Sequence, residues 1–372
     1  MEPFDGAWRA EREAAQQQAL RPGRTSLSCS APFGGGGLGR HLKEIWDALG
    51  RTGGQGGLVC GPSAGVRGVV PPPERDEVRR GGLGALSDRV FAGSPAWSTW
   101  KAGVDFDRAA RRRSGDGEHL LAFNGQALTQ LQAARGAGYS SASLVSATAH
   151  MRHVAARQRE AHRRHPLERP WAPRVLERNL AEYELADSIL VATDHIRDSF
   201  LAEGVAAERL RTFPLTPDPR YTPREGAADS NAFEVLYVGS LSVAKGVPLL
   251  VEALRGIDAP ELRLVLLGGW SSRGMRRFLT AACASDPRIE VRLGDPLERL
   301  RRASLYVHPS WDDGFGYAPA EALASGVPAI VTADTGMKEL IASGRGLVVP
   351  TGDGGALAEA IEAAYRREIL SR

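Results

Sequence analysis

The chain predicts an α/β protein built from two doubly wound parallel-sheet domains. Three observations carry that expectation. Short apolar runs alternate with helix-forming stretches along most of the sequence, the pattern of strands joined by helical crossovers. A length of 372 residues suits two domains of ordinary size. A turn-rich stretch, Pro214-Leu215-Thr216-Pro217-Asp218-Pro219 on to Asn231, reads as a linker between them.

Residues 1–24 are polar and rich in Gln and Arg, and read as a peripheral helix or a loose tail. The first domain, 25–215, opens on the strand candidate Thr25–Ser30, then a glycine run, then the helix Leu38–Leu49. Further strand candidates are Gly57–Cys60, Arg89–Phe91, His119–Phe123, Ser143–Ala147 and Ser188–Ala192. Helical stretches fall at Gln126–Ala134, Val175–Leu185 and Ile196–Glu203, whereas 53–118 is Gly-, Pro- and Arg-rich and weakly patterned. After the linker, 216–232, the second domain fills 233–372. It opens on Phe233–Val238 and continues through Leu262–Leu267, Ile289–Leu293, Leu305–Val307, Ala329–Val331 and Gly346–Val349, with helices between most of them. No repeat occurs at a solenoid period.

Composition narrows the function. A hydrophobic fraction of 42% is enough for real cores, and a net charge of +3 gives no electrostatic case for nucleic acid. Cys29, Cys60 and Cys283 lie far apart, with neither metal-ligand spacing nor a disulfide framework, which fits a reducing compartment. The start, Met1-Glu2-Pro3-Phe4-Asp5, is charged and lacks the apolar core of a secretion signal. No apolar run approaches the roughly 18–20 residues that span a bilayer. The expectation is a soluble cytoplasmic protein, with peripheral contact at the inner face of the membrane left open.

The chemistry concentrates in Pro309-Ser310-Trp311-Asp312-Asp313-Gly314-Phe315-Gly316-Tyr317-Ala318-Pro319-Ala320-Glu321, running on to Gly326-Val327-Pro328 and Gly336. An apolar strand leads into a glycine-rich turn, and Pro319 sits in the first turn of a helix, where a missing N–H costs nothing. Such a turn lies at the carboxyl end of a strand, where open α/β sheets bind ligands. Gly314 and Gly316 let backbone N–H groups approach an anion, and the helix start adds its free N–H groups and positive dipole end. Asp313 and Glu321 flank this cradle. An anion cradle between two acids suits a ligand with both phosphate and sugar. The plain alternative is that both acids merely cap or compensate the helix.

This constellation resembles the donor site of retaining glycosyltransferases of family four, the glycosyl transferases group 1, which have the GT-B fold. Their hallmark is two Glu with seven residues between them in a Glu-Gly-Phe-Gly context. Here the spacing is kept from Asp313 to Glu321, with Asp in place of the first Glu. The resemblance extends to Tyr237-Val238-Gly239-Ser240-Leu241-Ser242-Val243-Ala244-Lys245-Gly246, where Ser240 replaces the usual Arg. It is dense over 233–362 and thinner before.

The resemblance implies two Rossmann-like domains facing a central cleft, and transfer of a sugar from a nucleotide sugar with retained configuration, as in polysaccharide biosynthesis. Lys245 and the helix start at Tyr317–Ala320 would stabilise the departing diphosphate while the acceptor hydroxyl attacks from the same face. Asp313 would hold sugar hydroxyls and Glu321 the ribose. Gly239, Ser240, Gly314, Phe315, Gly316, Tyr317 and Ala318 would line the donor site. No dedicated metal and no cofactor are implied; the nucleotide sugar enters as substrate. The acceptor could be a glycan, a lipid-linked sugar or a small molecule. Arg273 or Arg276 would be candidates to replace the cation missing at Ser240.

Gly34-Gly35-Gly36-Gly37-Leu38-Gly39 fits a dinucleotide-binding G-x-G-x-x-G. That use also needs an acid about twenty residues on, and Gln55-Gly56-Gly57-Leu58-Val59-Cys60-Gly61 supplies none. By resemblance, Gly36 and Gly37 would instead let donor phosphates and acceptor approach; the plain alternative is a tight turn. His150 follows a strand in a Thr-x-His context that resembles a sugar-facing position. The alternative is a surface His, with His153, His162 and His165 close behind. The arginine-rich stretch 151–178 reads either as a solvated helix face or as a basic lip of the first domain for an anionic acceptor or membrane surface. Two rivals stand beside the transferase: a sugar-nucleotide epimerase or phosphorylase of the same architecture, and a catalytically degenerate GT-B protein that binds a nucleotide sugar or a partner without turnover.

Overall fold

The computed structural model describes residues 4–63, 66, 70–78, 95–113, 116–171, 173–223, 233–341 and 345–367. They group into two compact units, one built on Asp5–Ala155 and Trp171–Leu215, the other on Ala156–Pro170 and Thr216–Arg372.

The first unit holds a seven-stranded sheet in the order β3-β2-β1-β4-β5-β6-β7. Its strands are β1 Thr25–Pro32, β2 Gln55–Gly61, β3 Asp76–Glu77, β4 His119–Phe123, β5 Ser141–Ser146, β6 Ile189–Val191 and β7 Leu210–Thr212. Every pairing is parallel, and the strand order reverses between β1 and β4. A parallel sheet is covered on both faces, and all of β5 is accordingly buried. The helix Gly36–Arg51 packs through Leu42, Ile45, Trp46 and Leu49, all buried and spaced as one helical stripe. The short strands β3 and β7 lay outside the sequence expectation, because two or three residues show no period. The candidate Arg89–Phe91 lies outside the described residues. The N-terminal segment forms the helix Gly6–Ala19, capped by Asp5, whose side chain accepts from the Trp8 N–H at 2.7 Å. Gln16 Nε2 ties it to the carbonyl of Pro214 at 2.8 Å.

A buried ion cluster sets the loop after β4. The Arg178 guanidinium pairs with Asp107 and, at 3.2 Å, with Glu182, and both acids are fully buried. Glu182 Oε1 accepts from the N–H groups of Ala127 and Leu128 at 2.9 and 3.0 Å. Asp107 accepts from those of Thr129 and Gln130 at 2.8 and 3.1 Å. The two acids thus cap the helix Leu128–Ala134 from distant parts of the chain. Removing one member leaves a buried charge uncompensated, so Asp107→Ala is expected to cost about 3–5 kcal/mol, read as a lower urea midpoint. A midpoint within error of wild type would show that Glu182 alone neutralises Arg178.

The second unit holds a six-stranded sheet in the order β10-β9-β8-β11-β12-β13. Its strands are β8 Glu234–Val238, β9 Arg263–Leu267, β10 Ile289–Arg292, β11 Leu305–His308, β12 Ala329–Thr332 and β13 Gly346–Val349. All pair in parallel. Val235, Leu264, Leu266, Leu305, Val307 and Ile330 form the sheet's share of a core that includes Leu250 and Leu254 of the helix Val247–Arg255.

Residues 156–170, read from sequence as part of the first domain, group with this second unit. Glu168 accepts from the Val243 N–H at 2.8 Å and from the Ser271 hydroxyl, and His165 Nε2 bonds Glu252 at 2.9 Å. Among the described residues no helix is long and apolar enough to cross a membrane.

Candidate active site

The strand order of the second sheet reverses between β8 and β11, and the loops that leave these two strands carry the candidate residues. Gly246 ends the first loop with φ +70°, and a Cβ there would lie 1.9 Å from the carbonyl oxygen of Pro309. Only glycine permits that approach. The Trp311 N–H also donates to the carbonyl of Ala244 at 3.0 Å. The two loops are therefore laid against each other, and Lys245 reaches across. Its Nζ donates to Asp313 Oδ2 at 2.8 Å and to the carbonyl of Asp312 at 3.3 Å.

Asp313 is held from three sides. Its N–H donates to the carbonyl of Asp334 at 3.0 Å, and its carbonyl accepts from the Gly336 N–H at 2.9 Å, so the loop after β12 clasps its backbone. His308 Nε2 lies 2.8 Å from Oδ2. Burial alone would raise the Asp313 carboxyl. The Lys245 charge, with the hydrogen bond and charge of His308, outweighs burial and holds it well below the usual carboxylate range.

Gly316, at φ +83°, is the N-cap of the helix Tyr317–Ala324 and brings no side chain of its own to cap it. A Cβ on Gly316 would stand 2.9 Å from Pro319 Cγ and 3.1 Å from Met337 Cγ. The first N–H groups of an α-helix have no partner within the helix itself, and such a start is where an anion binds. Its first turn holds no acid. Glu321 lies beyond that turn, buried at 3% exposure. The rings of Phe315 and Tyr317 meet edge to face at 4.8 Å, with Phe315 buried and Tyr317 and Ala318 half-buried.

Ser240 is exposed, and its carbonyl accepts from the Tyr237 hydroxyl at 2.9 Å. The neighbouring Leu241 N–H donates to the carbonyl of Gly269 at 2.8 Å, which joins this loop to the one after β9. There the guanidinium of Arg276 lies over the ring of Trp270 at 5.4 Å. Arg273 is exposed at the start of the same helix, Arg273–Ser285.

In the first unit, Gly36 opens its helix with open space where a Cβ would stand, and Gly37 follows it. His150 is buried at 4% exposure, so it is not a surface His. His162 and His165 are buried as well. The His150 ring packs on Tyr183 and Phe200 at 4.9 and 5.0 Å, and its Nδ1 accepts from the Arg152 N–H at 3.3 Å. Burial lowers the pKa of the ring and favours neutral imidazole.

The arginines of 151–178 are largely spoken for within their own units. Arg152 pairs with Glu203 at 3.3 Å, Arg157 with Asp334 at 2.8 Å, and Arg178 with Asp107. Arg164 donates to the carbonyl of Gly352. Arg157 thereby braces the loop that clasps Asp313. The residue that sequence reasoning missed is His308. The apolar run stopped at Val307, and the only signal was a polar residue ending a buried strand at its carboxyl end.

Two parallel sheets of these strand orders, with glycine-rich loops at the reversal point of the second, are the architecture of the GT-B fold. The chain resembles sucrose-phosphate synthase from Thermosynechococcus elongatus with a TM-score of 0.70 and 18% identity, over 92% of this chain and 90% of that one. It resembles Anabaena HepE, solved in complex with UDP-glucose, with a TM-score of 0.64 and 16% identity, over 92% and 90%. Residues 221–372, which hold every candidate of the second unit, match the glycosyl transferases group 1 family. A D-inositol 3-phosphate glycosyltransferase of Xylanimonas cellulosilytica is 34% identical over 115 residues, 29% of this chain and 27% of that protein. The chain spans about half or less of the length of the curated relatives it matches.

Proposed function

We propose that this protein is a retaining glycosyltransferase that moves a sugar from a nucleoside-diphosphate sugar to an acceptor hydroxyl in polysaccharide or glycolipid assembly. The observation that carries the reading is the Lys245–Asp313 pair beside the glycine-led helix start at Gly316. An ammonium has three donors. Two are engaged by Asp313 and Asp312, and the third remains for a phosphate oxygen. Lys245 and the helix N–H groups would meet the charge that grows on the diphosphate as the glycosidic bond breaks. The acceptor hydroxyl would attack from the face the leaving group vacates, its proton passing to the departing phosphate. Because HepE was solved with UDP-glucose, a uridine nucleotide is the first donor to test.

Thermal-shift measurements against nucleoside diphosphates, followed by donor turnover across a panel of nucleotide sugars, test the reading. A bound diphosphate at about a hundred times its Kd stabilises by about 2.7 kcal/mol. A melting temperature unmoved by every diphosphate would overturn it. Binding without turnover of any donor would favour the degenerate rival.

Glu321, buried just past the cradle, is assigned to the ribose hydroxyls. Glu321→Gln removes a charged hydrogen-bond acceptor worth about 1.5–3 kcal/mol. Diphosphate affinity measured by calorimetry is expected to fall roughly tenfold to a hundredfold. Unchanged affinity would move the ribose elsewhere.

A further inference from the structure

His308 ends β11 and is 3% exposed. Packing alone does not call for an imidazole there. The ring stacks with the rings of Tyr237 and Tyr306, each at 6.2 Å, a setting that a phenyl ring would fill as well. What a phenyl ring cannot do is donate. His308 Nε2 lies 2.8 Å from Asp313 Oδ2, the same oxygen that takes Lys245 Nζ at 2.8 Å. Oδ2 therefore holds two donors, and Oδ1 accepts none among the described residues.

The other end of the ring is compatible with a proton on Nε2. Nδ1 lies 3.3 Å from the Tyr306 hydroxyl, which is also 3.3 Å from the carbonyl of Val238. A phenol has one hydrogen to give. When it goes to Nδ1, the ring is neutral and its single proton is on Nε2. When it goes to Val238, the ionised carboxylate at the other nitrogen, which can only accept, still calls for the proton on Nε2. In both arrangements Nε2 carries a hydrogen toward the carboxylate, and Asp313 keeps its charge.

We propose that His308 is the positioning residue of the donor site: it pins Asp313 Oδ2 from the strand side, so that Oδ1 stays presented to a donor-sugar hydroxyl while Lys245 turns to the leaving diphosphate. The proposal rests on the nucleotide-sugar reading above. Without His308, Lys245 would be the sole side-chain partner of the carboxylate. An incoming diphosphate would then draw the ammonium away and leave the carboxylate free to rotate. Misplacing a group that orients the reacting sugar by about 1 Å costs on the order of a hundredfold in rate.

The test compares His308→Phe, which keeps the stack and removes the donor, with His308→Gln, whose amide N–H reaches near the Nε2 position. The expected result for His308→Phe is a ten- to hundredfold lower kcat/KM for the nucleotide sugar, with diphosphate affinity within about threefold of wild type. His308→Gln is expected to recover most of that loss. Should the Phe variant not fold, His308→Asn replaces it, since its amide stops near Nδ1 and falls short of Asp313. Wild-type kcat/KM in the donor-less variant, equal loss of diphosphate affinity, or no recovery in His308→Gln would overturn the proposal. A wild-type chain that neither binds a diphosphate nor turns over a nucleotide sugar removes the donor-site reading and this inference with it. Wild-type turnover with an unaffected His308→Phe removes this inference alone.

Discussion

Lys245→Ala is expected to lower turnover about 10²–10³-fold, the loss that follows removal of one preorganised electrostatic partner from an oxyanion-type site. The Lys245 ammonium has no rival within its own loop. The backbone that carries it is anchored by the Ser242 hydroxyl, which accepts from the Lys245 N–H at 3.2 Å, and by the close approach of Gly246 to Pro309. The same change removes the ammonium that does most to hold the Asp313 carboxyl down, so that carboxyl is expected to titrate higher in the mutant than in wild type. A carboxyl whose folded pKa is depressed stabilises the fold above its unfolded value and loses that stabilisation as pH falls toward the folded one. Lys245→Ala should therefore flatten the acid side of the stability profile below about pH 4, near the ordinary value of 3.8. Initial-rate kinetics with the best donor and acid titrations followed by circular dichroism read the two effects. Turnover within a few fold of wild type would sink the assignment of Lys245 to the leaving group.

How much of this could be read before any coordinates depended on the kind of signal. Strands of four or five apolar residues bounded by turns, such as β8, β9 and β11, were legible within a residue or two, because a buried parallel strand is a short apolar run. β3 and β7 were not, since edge strands of two and three residues exist through pairing with β2 and β6 rather than through pattern. The cradle was legible because glycine spacing is local: Gly246 and Gly316 mark their turns in the sequence itself. The partners of the cradle were not. His308 meets Asp313 by leaving the end of one strand, and Arg157 meets Asp334 across more than a hundred and fifty positions. Pairings of that kind follow from topology, which a single sequence displays only as an unexplained polar residue. For the same reason the arginines of 151–178 looked like a free basic face, although Arg152, Arg157, Arg164 and Arg178 each have a structural partner.

Asp313→Asn separates the two members of the central ion pair, because they should act oppositely on the diphosphate. The amide keeps the shape of the side chain and can still accept from Lys245 or His308 through its one oxygen. It loses the negative charge that makes those bonds, and a bond to a sugar hydroxyl, charge-assisted. Such bonds are worth about 1.5–3 kcal/mol each. Loss of the oriented carboxylate also loosens the sugar at the reacting centre. Transfer is expected to fall about a hundredfold or more. Free diphosphate should bind no more weakly, and more tightly if anything, since the ammonium at 2.8 Å no longer has an anion of the protein's own to satisfy it. Lys245→Ala should weaken that same binding. Calorimetric titration of both variants with one nucleoside diphosphate, beside initial rates with its sugar conjugate, makes the comparison. Parallel losses of diphosphate affinity in the two variants would mean that Asp313 supports the phosphates rather than the sugar. The short acid of this chain would then have a different job from the one its spacing to Glu321 implies.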